Sequence, residues 1–148
     1  MKDTRKGFKL AVVLKKTQFQ IDEGRRDIVE LKQEIERLNQ IKARHTEQLT
    51  LSEEQRRMML KGVIDTQLYM ATSEYIDRKR QIINKTAQQI SKHQHQLGEL
   101  NEAMLKLLKV DKGLTETERD FYKQQKLQRF EKSEKKMDEL FLTSRYLS

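Results

Sequence analysis

The side chains of this 148-residue chain that could ligate a metal or move a proton are few and scattered. Its histidines are His45, His93 and His95, and no HExxH, CxxC or comparable ligand spacing surrounds them. His45 and His93 instead fall on positions of a seven-residue repeat, where a polar residue sets helix register. The five glycines stand alone at 7, 24, 62, 98 and 113, so no glycine-rich loop is present to cradle a phosphate. Glu34, Glu36, Glu53 and Glu54 read as solvated helix faces, with no pocket to shift their pKa values. The expectation is a protein that is not an enzyme, with no catalytic residue, no cofactor and no metal.

The composition names the elements that carry these residues. Proline is absent and 36% of residues are charged, the profile of a long helix and not of a compact globule. Hydrophobic residues at 35% and aromatics at 6% suffice for a narrow seam between two helices but not for a thick core, which predicts one elongated domain over 1–148. The lack of cysteine suits a reducing compartment and gives cytoplasm as the expected location. The apolar run Leu10 to Leu14 is shorter than a signal-peptide core or a membrane span, so neither is expected.

In the first half, Leu14, Ile21, Ile28, Ile35, Lys42 and Leu49 recur every seven residues, with Leu10, Leu31 and Leu38 interleaved and Thr17, Gly24 and His45 as imperfect members. This predicts a first helix over about residues 4–61, closed by Arg56, Arg57 and Lys61 in its last turn and by Gly62. In the second half Ile76, Ile83, Ile90, Leu97 and Met104 repeat at the same spacing, flanked by Leu100, Leu107, Leu114 and Phe121. Thr72 or Ser73 is the expected N-cap of a helix over about 73–146, and Gly113 is expected to lie inside it. After Phe121 the register slips by about four residues to Phe130 and Met137, a stutter.

The connector, residues 62–72, is short and partly apolar, which predicts an antiparallel helical hairpin with a short extra helix at its turn. The fold class is therefore all-α, a long antiparallel two-helix coiled coil. If 8–61 pairs with about 73–126, the last twenty or so residues overhang, carrying Phe130, Met137, Leu140, Phe141, Tyr146 and Leu147 with nothing to cover them.

The net charge of +8 gathers at the chain ends. Residues 1–16 contribute +5 and residues 123–148 contribute +3, so the rest sums to zero. An antiparallel hairpin joins both ends at one basic, apolar-striped tip, on a rod roughly 80 Å long for the first helix. Nucleic acid is not the expected partner, because Glu131, Glu134, Asp138 and Glu139 interrupt the C-terminal lysines. Near the turn, Tyr75, Lys79, Ile82 and Thr86 form a stripe at i, i+4, i+7 and i+11, with Ile41, His45 and Gln48 facing the same side. It reads either as a partner contact or as half seam and half solvated surface.

The run Glu131-Lys-Ser-Glu-Lys-Lys-Met-Asp-Glu-Leu140, preceded by Glu118-Arg-Asp-Phe-Tyr-Lys123, resembles the end of the flagellar export protein FliJ family, in which lysine, methionine or leucine, aspartate and glutamate close the second helix. The opening Phe8-Lys-Leu-Ala-Val-Val-Leu14, the Gly62-Val-Ile turn with Tyr75-Ile76 after it, and the total length are similar too. The resemblance implies a stalk, similar to the coiled coil of the rotary ATPase gamma subunit, in the pore of the hexameric type III export ATPase. It further implies contacts with the export gate membrane protein and with export chaperones, and a place at the cytoplasmic face of the inner membrane. On that reading Lys9, Lys15, Lys16, Phe130, Met137, Leu140 and Phe141 meet the ATPase ring. Ile41, His45, Gln48, Tyr75, Lys79, Ile82 and Thr86 meet the gate, although Lys79 and Thr86 stand where more apolar residues are expected. The equivalent stalk of a virulence secretion system and a self-associating coiled-coil scaffold are the competing readings.

Overall fold

The computed structural model describes residues 7–147, and side chains through Arg145. Lys2, Arg5 and Lys6 of the basic tip, and the side chains of Tyr146 and Leu147, lie outside these described residues. The fold is all-α: α1 spans Ala11–Met59 and α2 spans Thr66–Leu147, two long helices packed against each other as a helical hairpin. α2 runs through Gly113 and through the stutter after Phe121 without a break. Among the described residues no helix is long and apolar enough to cross a membrane.

At the turn, α1 ends at Met59, close to the expected position and with Arg56 and Arg57 in its last turn, whereas α2 starts earlier than the sequence leads one to expect. α1 does not close on a left-handed glycine, since no glycine among the described residues has positive φ. Its last turn tightens instead, with Leu60 N–H donating to the Arg57 carbonyl at 3.3 Å and Lys61 N–H to that of Met58 at 3.1 Å. α2 begins at Thr66, not near Ser73, because Asp65 is the cap. Its carboxylate accepts from Leu68 N–H at 3.2 Å, and its carbonyl accepts from Tyr69 N–H at 2.9 Å. The connector thus shrinks from 62–72 to residues 60–65, and the segment predicted as a separate short helix is the first turns of α2. At the other end, residues 7–10 form a bend and turn, with Ala11 N–H bonded to the Phe8 carbonyl at 3.1 Å, so α1 starts later than residue 4.

The chain divides into two compact units. The unit of residues 24–103 holds the turn, and its helices run antiparallel, as the pairs Arg56 with Ser73 and Glu53 with Arg80 require. Leu38, Ile76 and Ile90 form its buried apolar seam, and Ile76 is fully enclosed. Ser52 and Thr86 are buried among them as polar members of the repeat. The Thr86 hydroxyl is satisfied by donating to the Ile82 carbonyl at 2.8 Å.

The unit of residues 1–23 and 104–148 packs Phe8, Leu14, Ile21 and Met104 in its seam, with Thr17 bonded back to the Val13 carbonyl at 2.8 Å. Phe8 reaches across to Phe121, ring centroids 5.8 Å apart. Leu10 is the one heptad member of α1's predicted seam that remains exposed, because it precedes the helix and lies in the turn. Beyond Gln125 every described side chain of α2 is exposed.

Candidate functional site

The structure brings the centre of the turn-proximal stripe together. Lys79 on α2 directs its ammonium across the seam, donating to His45 Nδ1 at 2.9 Å and to Gln48 Oε1 at 2.6 Å. The same ammonium lies 5.2 Å from the centroid of the Tyr75 ring, within reach of a cation–π contact. For Nδ1 to accept from an ammonium, His45 must carry its proton on Nε2. The cluster follows from the repeat: His45 and Lys79 are both seam positions, and two polar residues facing each other there must satisfy one another or meet water.

The flanks of the stripe separate by burial. Ile41 is half-buried, Ile82 is exposed, and Thr86 is turned into the packed seam with 6% of its surface accessible. Thr86 therefore belongs to the interior and offers no surface to a partner. The stripe that a partner could touch is Tyr75, Lys79 and Ile82 with Ile41, His45 and Gln48. Two bonds across the helices escaped the sequence reading: Arg80 to Glu53 at 3.1 Å and Arg56 to the Ser73 hydroxyl at 3.4 Å. Their signal was the antiparallel register, in which residues whose numbers sum to about 130 face each other.

The second candidate surface is the far part of α2, in the other unit. Phe130, Met137, Leu140 and Phe141 are each more than three-fifths exposed, and Leu127 and Leu142 are more than half exposed. Arg129, Lys132, Lys135 and Lys136 line a shallow groove of about 490 Å³ along this segment with Ser133 and Glu139. Lys9, Lys15 and Lys16 are exposed in the same unit. A monomer rarely leaves so many large apolar side chains in water on one face without a partner for them.

Among the described residues no three His, Asp or Glu side chains converge as metal ligands. His93 Nδ1 pairs with Gln96 Oε1 at 3.2 Å, and His95 Nε2 with Glu99 at 3.1 Å, each within a single turn of α2. The first region is built around a half-buried lysine and the second around exposed aromatic and aliphatic side chains. No known protein family, curated protein or solved structure matches this chain.

Proposed function

We propose that this protein is a non-enzymatic stalk of a flagellar type III export apparatus, seated in the pore of the hexameric export ATPase. The observation that carries this reading is the exposed segment of α2, where Phe130, Met137, Leu140 and Phe141 lie open to solvent beside lysines. Lys9, Lys15 and Lys16 would join them against the ring. The resemblance of residues 131–140 to the end of the FliJ family names the ring.

In this role the hairpin acts by differential contact. A single asymmetric hairpin in a six-fold ring touches the subunits unequally, which favours ring assembly and biases their hydrolysis cycle. The stripe of Tyr75, Lys79, Ile82, Ile41, His45 and Gln48 would meet the export gate, and export chaperones would bind the same protein. The stalk would then work peripherally at the cytoplasmic face of the inner membrane and hydrolyse nothing itself.

The test is to titrate the protein into the export ATPase while following hydrolysis rate and hexamer mass together. Wild type raises both, and the Phe130→Ser, Met137→Ser, Phe141→Ser triple variant raises neither. If wild type leaves an active ATPase unchanged and sediments as a stable dimer, the exposed segment covers a second copy and the scaffold reading replaces the stalk. A response only from the ATPase of a virulence system would move the stalk to that machinery.

A further inference from the structure

Within the unit of residues 24–103 the two helices flank a shallow, open groove of about 660 Å³. Its walls read as one face of each helix: Asp27, Glu30, Leu31 and Glu34 on α1, and Gln96, Glu99, Leu100 and Ala103 on α2, both at i, i+3, i+4 and i+7. Leu31 and Leu100 are half-buried seam residues whose free edges make an apolar floor, and the small side chain of Ala103 leaves that floor open. The groove runs along about two helical turns, roughly 10 Å, the length over which a docked helix presents two anchors.

The rim is acidic apart from Gln96. Four carboxylates line the groove and no basic residue does, although this unit holds fourteen basic against twelve acidic side chains and is slightly positive as a whole. Glu34 is met from outside by Arg37, with oxygen and nitrogen atoms 2.5 Å and 2.9 Å apart, and the carboxyl is held below its ordinary range by that bond. Glu99 pairs with His95. Asp27 and Glu30 have no hydrogen-bonded or ion-paired partner among the described residues.

We infer that this groove is the docking site for an amphipathic partner helix whose apolar anchors are flanked by lysine or arginine. The anchors cover Leu31, Leu100 and Ala103, and the flanking cations meet Asp27 and Glu30, the two carboxylates without internal partners. An acidic or neutral helix would bury these charges against nothing, so the rim excludes it. This site is distinct from the Lys79 cluster and from the exposed end of α2, and it stands whether or not the protein is an export stalk.

The probe is a fluorescein-labelled peptide of leucine and lysine, with leucines at i, i+3, i+4 and i+7, followed by anisotropy against the full chain; a leucine and glutamate peptide of the same pattern is the control. The lysine peptide binds and the glutamate peptide does not. Asp27→Asn with Glu30→Gln weakens binding by roughly fivefold, as two exposed charge contacts predict. Ala103→Phe fills the floor without altering charge and weakens binding by about tenfold, as loss of an anchor pocket predicts. Position 103 is exposed, and both variants keep wild-type circular dichroism and melting temperature. Absence of binding by the lysine peptide, equal binding of the two peptides, or undiminished binding by Ala103→Phe would each overturn the inference. So would a dimer of the chain alone that the groove variants abolish, because the occupant would then be a second copy.

Discussion

The ammonium of Lys79 on α2 lies 2.9 Å from Nδ1 of His45 on α1, closing a polar contact across a seam that also buries the hydroxyls of Ser52 and Thr86. A lysine at such a position fixes the register of two helices at some expense in stability. Replacing both residues with leucine should therefore stabilise the hairpin, by about 1–2 kcal/mol in urea denaturation. Nitrogen NMR of wild type should show the neutral His45 ring as the Nε2–H tautomer, with Nδ1 accepting. A double variant that is less stable would show that the pair contributes more than register.

Asp65 caps α2, and Thr72 lies inside it, its hydroxyl donating to the Leu68 carbonyl at 2.8 Å. Asp65→Ala should lower stability by about 1 kcal/mol, whereas Thr72→Ala should change it by less than about 0.5 kcal/mol. The reverse order would place the helix start near residue 73.

Ile76 is the only fully enclosed large side chain among the described residues, and Phe130 is 62% exposed. Ile76→Ala should cost about 2–4 kcal/mol through lost burial and the cavity left behind. Phe130→Ala should leave the melting temperature of the isolated protein nearly unchanged, since surface substitutions stay within about 0.5 kcal/mol. Scanning calorimetry of the two variants separates a side chain that holds the fold from one that does not.

At Gly98 and Gly113 an added Cβ meets nothing within 4 Å, and both glycines lie inside α2. Gly98→Ala and Gly113→Ala should each stabilise the helix by up to about 1 kcal/mol. Stability read from chemical denaturation checks this, and a loss at Gly113 would mark a bend that the helix requires.

The hydrogen bond from Arg37 holds the Glu34 carboxyl below its ordinary pKa and raises that of Arg37. A depressed carboxylate adds stability above its unfolded pKa and loses it as pH falls through the folded value. The contribution is small because the pair is solvent-exposed. In Arg37→Gln, the Glu34 titration followed by carbon NMR should move up toward the ordinary value, and an unmoved midpoint would assign the shift to another neighbour.

The Lys79 cluster was half legible in the sequence. Tyr75 and Lys79 share a helix face by spacing alone, and His45 and Gln48 were placed opposite them by the antiparallel pairing. Thr86 was assigned to the same stripe, yet it is a member of the seven-residue repeat and turns inward. Spacing along one helix cannot decide between seam and surface at its border, because the facing helix makes that choice.

What the amino-acid order determined by itself is the helical hairpin. The repeat of Leu14, Ile21 and Leu38 on one helix and of Ile76, Ile90 and Met104 on the other is carried by local periodicity, and all six are buried. So is the exposure of Phe130, Met137 and Phe141, which follows from a second helix longer than the first. The tertiary structure alone decided the cap at Asp65, the inward turn of Thr86, the partners of Lys79 and the acidic groove over Leu31 and Leu100. Each of these depends on which atoms of one helix lie across from the other. A heptad repeat specifies that two helices meet along a stripe, but the contacts at the edges of the stripe are set by their relative register and by the side chains that happen to face each other.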